Sequence, residues 1–208
     1  MNAFEFIDVQ QNTDEWFQLR CGKLTSSNLG KIMANYGKSF GEPAKKLAVN
    51  IAIEKVTGNP ISSTYTNEHM QRGHEQEPIA RAMYEGENFI DVTNGGFFTN
   101  GEIGCSPDGL CDDGVIEIKS VIASTHYNTL KKNNVDPAYK WQCIGNLMFT
   151  GREWIDFVSY CSEFPESKQL FICRKYAKDL KIEFEMIEER SNKFLELVED
   201  SKQTILNY

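Results

Sequence analysis

The stretch GCSPDGLCDDGVIEIKS, residues 104–120, decides how the rest of the chain is read. It contains a turn, Ser106-Pro107-Asp108-Gly109, then a tight connection, Asp112-Asp113-Gly114, then an alternating run from Val115 to Ser120. Pro107 and Gly109 restrict the backbone on either side of Asp108, so the turn presents its carboxylate outward. Successive side chains of a strand point to opposite faces, which puts Val115, Glu117 and Lys119 on one side and Ile116 and Ile118 on the other. The short connection returns the chain and brings Asp108 beside Glu117. Taken singly, a Pro-Asp-Gly aspartate is an ordinary turn residue and an E-x-K strand an ordinary solvated pair. Their combination is far more specific.

The combination suits phosphodiester hydrolysis. Carboxylates offer the hard oxygens that Mg²⁺ or Mn²⁺ require. Such an ion acidifies water and offsets the charge that builds on phosphorus. A lysine beside it orients or deprotonates that water, or neutralises the developing charge. Two ions, about 3.5–4 Å apart, would need a further carboxylate. Glu77, in the segment RGHEQEP, is the leading candidate, with Glu75 and Asp112 behind it, and the Ile118 carbonyl offers one more oxygen.

Outward from this segment the chain reads as helices, then strands, then helices. Thr13 is a helix cap followed by Asp14 and Glu15, with Trp16, Phe17 and Leu19 near the apolar side and Gly22 as the stop. Thr25, Ser26 and Ser27 precede Leu29, Ile32 and Met33, a second helix start. Pro43 opens a third helix, with Leu47, Ala48, Ile51, Ala52 and Val56 as its stripe. Asn67–Tyr84 reads as a helix with Ile79, Ala80 and Met83 at helical spacing, kinked or first regular near Pro78. Phe89–Val92, Gly96–Thr99 and Glu102–Cys105 read as short strands. Thr125–Lys132 is a short helix. Pro137 starts another carrying Tyr139, Trp141, Gln142, Ile144, Gly145, Leu147 and Met148. Trp154–Tyr160, with one covered face, and Gln169–Lys175 are strands. Ala177 to about Asp200 is a long helix with Ile187, Phe194, Leu195 and Leu197 inward. The expected fold is one α/β domain over residues 1–208, with a central mixed β-sheet flanked by α-helices.

The 208 residues suffice for one core, and 40% hydrophobic with 25% charged content describes a folded chain. No stretch reaches membrane-spanning length, and MNAFEFIDVQQNTDEW lacks the basic flank and apolar run of a signal peptide, so the cytoplasm is the expected location. Cys21, Cys105, Cys111, Cys143, Cys161 and Cys173 form no paired CxxC knuckles and read as separate reduced thiols. The net charge of −8 argues against a protein that coats DNA, but not against a local phosphate site.

The words EWFQLRCGKLTSS, RGHEQE, GCSPDGLCDDGVIEIK and YKWQCIGNLMFTG closely resemble the PD-(D/E)xK nuclease superfamily. More narrowly they resemble the phage lambda exonuclease and YqaJ-like viral recombinase family, over about Glu15 to Tyr160. That resemblance implies a restriction-endonuclease-like core and a Mg²⁺-dependent 5′-to-3′ exonuclease, with Mn²⁺ as a substitute and two ions. Such an enzyme digests one strand of linear duplex DNA to mononucleotides and leaves 3′ single-stranded tails for recombination. Asp108, Glu117 and Lys119 take the metal and catalytic roles, the Ile118 carbonyl and Glu77 join the ligands, and Gln142 takes the active-site glutamine's place near the scissile phosphate or attacking water. Arg20 and Ser27 match residues that hold the terminal 5′-phosphate, and an arginine's planar fork suits that task. Lys23, Thr25 and Ser26 rank second for the same pocket. The resemblance also implies a ring-shaped homotrimer and a single-strand annealing protein as partner.

Two other readings compete. One is a different nuclease of the superfamily, an endonuclease or a 3′-directed exonuclease. The other is a DNA-binding protein with a dead metal site, whose expected loss of Asp108, Glu117 or Lys119 is not seen. Tyr139 and Trp141 suit base stacking, but their spacing with Ile144 and Met148 fits core packing better. His74 and His126 read as ordinary polar histidines, and Lys131, Lys132 and Lys140 as a solvated face.

Overall fold

The computed structural model describes residues 3–61 and 68–208. After a short strand β1 (Glu5–Ile7), the Thr13 hydroxyl accepts the Trp16 amide at 3.2 Å and caps α1 (Asp14–Arg20), with Asp14 and Glu15 at its positive end. Gly22, at φ +72°, turns the chain into β2 (Leu24–Thr25). A 3₁₀ turn over Ser26–Asn28 leads into α2 (Leu29–Met33), which buries Leu29, Ile32 and Met33. α3 (Glu42–Thr57) has Pro43 in its first turn and stops at Gly58, which adopts the left-handed conformation. Ala44, Ala48, Ile51 and Ala52 face inward, whereas Val56, expected on that stripe, is exposed.

The next helix, α4 (Glu68–Asn88), continues through Pro78. The proline ring lies on the exposed side, so it forgoes one amide bond without meeting packed neighbours. Asn67, where the sequence places the start of this helix, lies outside the described residues. Ala80 and Tyr84 are buried, but Ile79 faces solvent. The strand expected at Phe89–Val92 does not form. Phe89 takes φ +53° and is 95% exposed. Val92 satisfies its backbone through side chains of α4, its amide donating to Glu85 and its carbonyl accepting from Arg81, rather than through a ladder.

Then come β3 (Phe97–Thr99), β4 (Ile103–Cys105), β5 (Gly109–Cys111), β6 (Gly114–Ser120), α5 (Ala123–Lys132), α6 (Lys140–Thr150), β7 (Trp154–Tyr160), β8 (Leu170–Tyr176) and α7 (Lys181–Leu206). The mixed α/β core flanked by helices is as the sequence suggests, with its strands divided between two mixed sheets. One has the order β1-β3-β4-β2 and the other β5-β6-β7-β8. In the second sheet the β5–β6 and β7–β8 pairs are antiparallel, while β6 and β7 are parallel, joined by a crossover that carries α5 and α6. None of the described helices is long and apolar enough to cross a membrane.

Both faces of this sheet are covered. Val115, Ile155 and Phe157 pack with Cys143, Ile144 and Leu147 of α6 in one core, while Ile116, Ile118 and Val158 pack with Ala80 and Tyr84 of α4 in another. β7 is therefore buried along its whole length, not on one face as its alternation suggests. Its polar residue on the α4 side, Asp156, is tolerated there because Arg174 donates to it through both Nε and Nη2, and Tyr84 through its hydroxyl at 2.7 Å.

Candidate active site

The β5–β6 hairpin brings the turn aspartate to the strand. Asp108 donates its amide to the Ile116 carbonyl at 3.1 Å, and Ile118 donates its amide to Asp108 Oδ2 at 2.6 Å. Glu117 and Lys119, two apart on β6, share a face, and the Lys119 ammonium forms an ion pair with Glu117 Oε1. α6 approaches that face with two amides one helical turn apart. Gln142 Nε2 donates to Glu117 Oε1 at 2.5 Å, and Asn146 Nδ2 donates to Oε2 at 2.6 Å. Glu77, on α4, completes the group. A cleft of about 720 Å³ opens above, lined among others by Glu77, Asp108, Ile118, Lys119, Tyr139 and Gln142. Glu117 lies wholly buried beneath it.

The electrostatics follow from packing three carboxylates against one ammonium. Burial pushes Glu117 up to about 8, and the neighbouring Asp108 adds to the rise while Lys119 opposes it. Burial and then Asp108 raise Glu77 to about 7. Burial also raises Asp108, against the pull of Lys119 and the Ile118 amide. For Lys119 burial acts downward, but Glu117 and Asp108 outweigh it and hold the ammonium protonated well above its usual range.

This group fits a divalent cation in donor chemistry and in charge. Its oxygens are hard, and once all three carboxyls are ionised their charge exceeds what one lysine neutralises. It is not yet arranged as a ligand set: among the described residues no three His, Cys, Asp or Glu side chains already surround a metal-sized position. Both Glu117 oxygens and Asp108 Oδ2 are instead occupied by N–H donors. The secondary carboxylate candidates stand apart. Glu75 is exposed and does not line the cleft, and Asp112 sits in the hairpin turn at the far end of β6 from Lys119.

Arg20 and Ser27 meet each other but do not line the cleft. Arg20 Nη2 donates to Ser27 Oγ at 3.3 Å, and its guanidinium lies over the Trp16 ring at 4.1 Å. Trp16 in turn donates through Nε1 to Ser106 Oγ at 2.8 Å, two residues before Asp108. Burial lowers Arg20 to about 10 although Cys105, Glu117 and Glu54 act to raise it. Thr25 Oγ1 lies 3.0 Å from Ser27 Oγ, so it supports that corner. Ser26 turns inward instead and donates to Asn146 Oδ1 at 2.5 Å.

The remaining candidates sort by packing. Tyr139 lines the cleft, stacks on Phe157 and lies 5.5 Å from the Lys119 ammonium, while Trp141 packs on the core. His126 is buried and donates from Nε2 to the Lys168 carbonyl, with Nδ1 2.8 Å from Ser159 Oγ. The His74 side chain lies outside what is described. Lys131 and Lys132 are exposed in the last turn of α5, and Lys140 pairs with Glu183 at 3.5 Å. The six cysteines are free thiols. Sequence reasoning missed Asn146, although its spacing of four from Gln142 puts both on one helix face. It also passed over Arg72 and Asn12, which line the cleft from α4 and the loop before α1.

A mixed sheet that presents a turn aspartate and a strand E-x-K to a helix-borne glutamate defines a class of protein, the PD-(D/E)xK type of α/β core. Residues 15–153, about two thirds of the sequence, match the YqaJ-like viral recombinase domain, and the chain belongs to that family. It is 32% identical to an alkaline exonuclease, LHK-Exo, from Laribacter hongkongensis, with a TM-score of 0.77 over 94% of this chain and 99% of that one. The complex of LHK-Exo with dAMP superposes with a TM-score of 0.79 at 33% identity over the same shares. A phage-related exonuclease from Haemophilus somnus 129PT shares the fold, with 16% identity and a TM-score of 0.66 over 92% of this chain and 98% of its own. No curated protein matches the chain by sequence.

Proposed function

We propose that this chain is a Mg²⁺-dependent exonuclease that digests one strand of linear double-stranded DNA in the 5′-to-3′ direction. It releases mononucleotides and leaves 3′ single-stranded tails for recombination. The observation that carries this reading is the meeting of Glu77, Asp108 and Lys119 at one cleft with Glu117 buried beneath it, three carboxyl groups gathered around one ammonium. Likeness to LHK-Exo, an exonuclease crystallised with dAMP, supports stepwise release of nucleotides.

Glu77, Asp108, Glu117 and the Ile118 carbonyl would hold Mg²⁺, or Mn²⁺ in its place, with oxygens enough for two ions. A bound ion supplies acidified water and stabilises charge on the phosphoryl group. Lys119, paired with Glu117, orients or deprotonates the attacking water, or neutralises the developing negative charge. Gln142, anchored on Glu117 and open to the cleft, orients the scissile phosphate or the attacking water. Arg20 and Ser27 receive the terminal 5′-phosphate, which selects the end from which digestion starts. The family resemblance extends the proposal to a ring-shaped homotrimer, a single-strand annealing partner and work in the cytoplasm, the host's if the protein is phage-encoded.

The test is digestion of three substrates with and without Mg²⁺: linear duplex with a 5′-phosphate, linear duplex with a 5′-hydroxyl, and a closed circle. Metal-dependent loss of one strand from the phosphorylated duplex is expected. Intact linear duplex would reject the enzyme, cutting of the circle would make it an endonuclease, and indifference to the 5′ end would remove the terminal-phosphate role of Arg20 and Ser27.

A further inference from the structure

Ser26 and Ser27 are consecutive residues of one 3₁₀ turn, yet they serve different neighbours. The Ser27 hydroxyl is exposed and accepts from Arg20. The Ser26 hydroxyl is buried and donates to Asn146 Oδ1 at 2.5 Å, and Asn146 Nδ2 donates to Glu117 Oε2 at 2.6 Å. Ser26, Asn146 and Glu117 are each 2% exposed or less.

The direction of these bonds is set by chemistry. With Glu117 ionised, as holding a cation requires, both of its oxygens only accept, so it takes the NH₂ side of the Asn146 amide. That leaves the oxygen side facing Ser26, whose single hydroxyl proton fits it. Removing the hydroxyl removes what distinguishes one amide orientation from its flipped form on that side.

The turn also has little freedom to move independently of α6. A Cβ added at Gly145 would lie 2.3 Å from Leu29 Cδ1 and 3.3 Å from Ser26 Cβ, so α6 and this segment are in close contact. Within the turn, Asn28 Nδ2 donates to Thr25 Oγ1 at 3.1 Å, and that oxygen lies 3.0 Å from Ser27 Oγ. A displacement at Ser27 is therefore carried to Ser26.

We infer that Ser26 and Asn146 form a relay that couples occupancy of the Arg20–Ser27 corner to the placement of Glu117, with Asn146 as a positioning residue for that carboxylate. The inference rests on the reading of that corner as the seat of a terminal phosphate. Its consequence is that a 5′-phosphate improves the metal site itself as well as the docking of the DNA end. Coupling of this kind is reciprocal, so it is measurable as metal affinity without turnover.

The experiment is calorimetric titration of the full-length protein with Mn²⁺, alone and with a short duplex whose terminal linkages are phosphorothioates, carrying a 5′-phosphate or a 5′-hydroxyl. The wild type should bind Mn²⁺ about 5–10-fold more tightly with the phosphorylated end than with the hydroxyl end. Ser26→Ala should still fold, with a lower melting temperature because the buried Asn146 Oδ1 loses its donor, and should bind Mn²⁺ without DNA much as the wild type does, since Glu117 still takes the Asn146 NH₂, but lose that difference. Asn146→Leu should weaken Mn²⁺ binding itself by about tenfold or more. An equal 5′-phosphate effect in Ser26→Ala and wild type overturns the relay, as does absence of the effect in the wild type. If the wild type shows the linkage but leaves linear duplex uncut, the nuclease reading fails and the relay stands. If it digests linear duplex without the linkage, only the relay fails.

Discussion

Ile118 donates its backbone amide to Asp108 Oδ2 at 2.6 Å, so the turn aspartate is held by the strand it serves. The bond runs between the two arms of a hairpin whose other contacts are ordinary ladder pairs. It costs β6 nothing in sheet pairing, since β6 and β7 keep their register from Gly114↔Trp154 to Ser120↔Tyr160.

Lys119→Ala should lower kcat on 5′-phosphorylated linear duplex by about 10²–10³-fold, the usual loss for removal of a donor to transition-state charge. Circular dichroism should report an intact fold, because the ammonium lies at the cleft and not in either apolar core. A rate near wild type would end the catalytic assignment.

Stability without metal should fall as pH rises. Glu77 and Glu117 are raised in the folded protein to about 7 and about 8 from an ordinary 4.5. The folded state therefore binds protons that the unfolded chain has released. Its advantage is complete below the unfolded value and is lost as pH climbs through the folded values. Thermal melts should give a declining Tm across that window, with Mg²⁺ raising Tm most at the alkaline end. A Tm that climbs over the same range in metal-free buffer contradicts the carboxylate cluster.

The same carboxylates set the pH–rate profile. They must be ionised to hold a cation, so activity at limiting Mg²⁺ should rise through neutral into mildly alkaline pH. Raising Mg²⁺ should move that rising limb to lower pH, since metal and proton compete. A limb that stays put at every Mg²⁺ concentration would assign it to another group.

Asp156→Ala should destabilise the fold by about 3 kcal/mol, at the low end for a broken buried pair, because Arg174 keeps partial access to water. Tyr84→Phe, which removes one donor from the same carboxylate, should cost about 1 kcal/mol. Urea denaturation midpoints measure both. Two values below about 0.5 kcal/mol would show that water replaces these partners freely.

Arg20→Ala should lower the rate on 5′-phosphorylated ends by about tenfold, or about 1.4 kcal/mol, and leave the rate on 5′-hydroxyl ends nearly unchanged. Initial rates on the two duplexes measure the ratio. Equal losses on both would make Arg20 a general phosphate contact or a folding residue.

Much of the fold was legible because it rests on local chemistry. The Thr13 cap, Pro43 at a helix start, the turn at Asp108 and the two-residue alternation of β6 each follow from the conformations that a few neighbouring residues allow. The Phe89–Val92 segment misled for the opposite reason. Its apolar residues have strand character, but a strand needs a partner, and α4 supplies side-chain partners to Val92 instead. The single covered face expected for β7 failed similarly, because Asp156 reads as solvent-facing until Arg174 and Tyr84 are placed beside it.

By itself, then, the sequence determined the residue types of the candidate site, their order along the chain and the face of β6 that Glu117 and Lys119 share. These depend on turn chemistry and strand period, which are short-range. The tertiary structure alone decided that Asn146 holds the second oxygen of Glu117 and that Ser26 orients Asn146 while Ser27 faces Arg20. Those facts depend on how α6 seats against β6, 29 positions before Asn146, and against the Ser26 turn, 120 positions before it; helical spacing can mark the face that Asn146 shares with Gln142, but not what that face packs against.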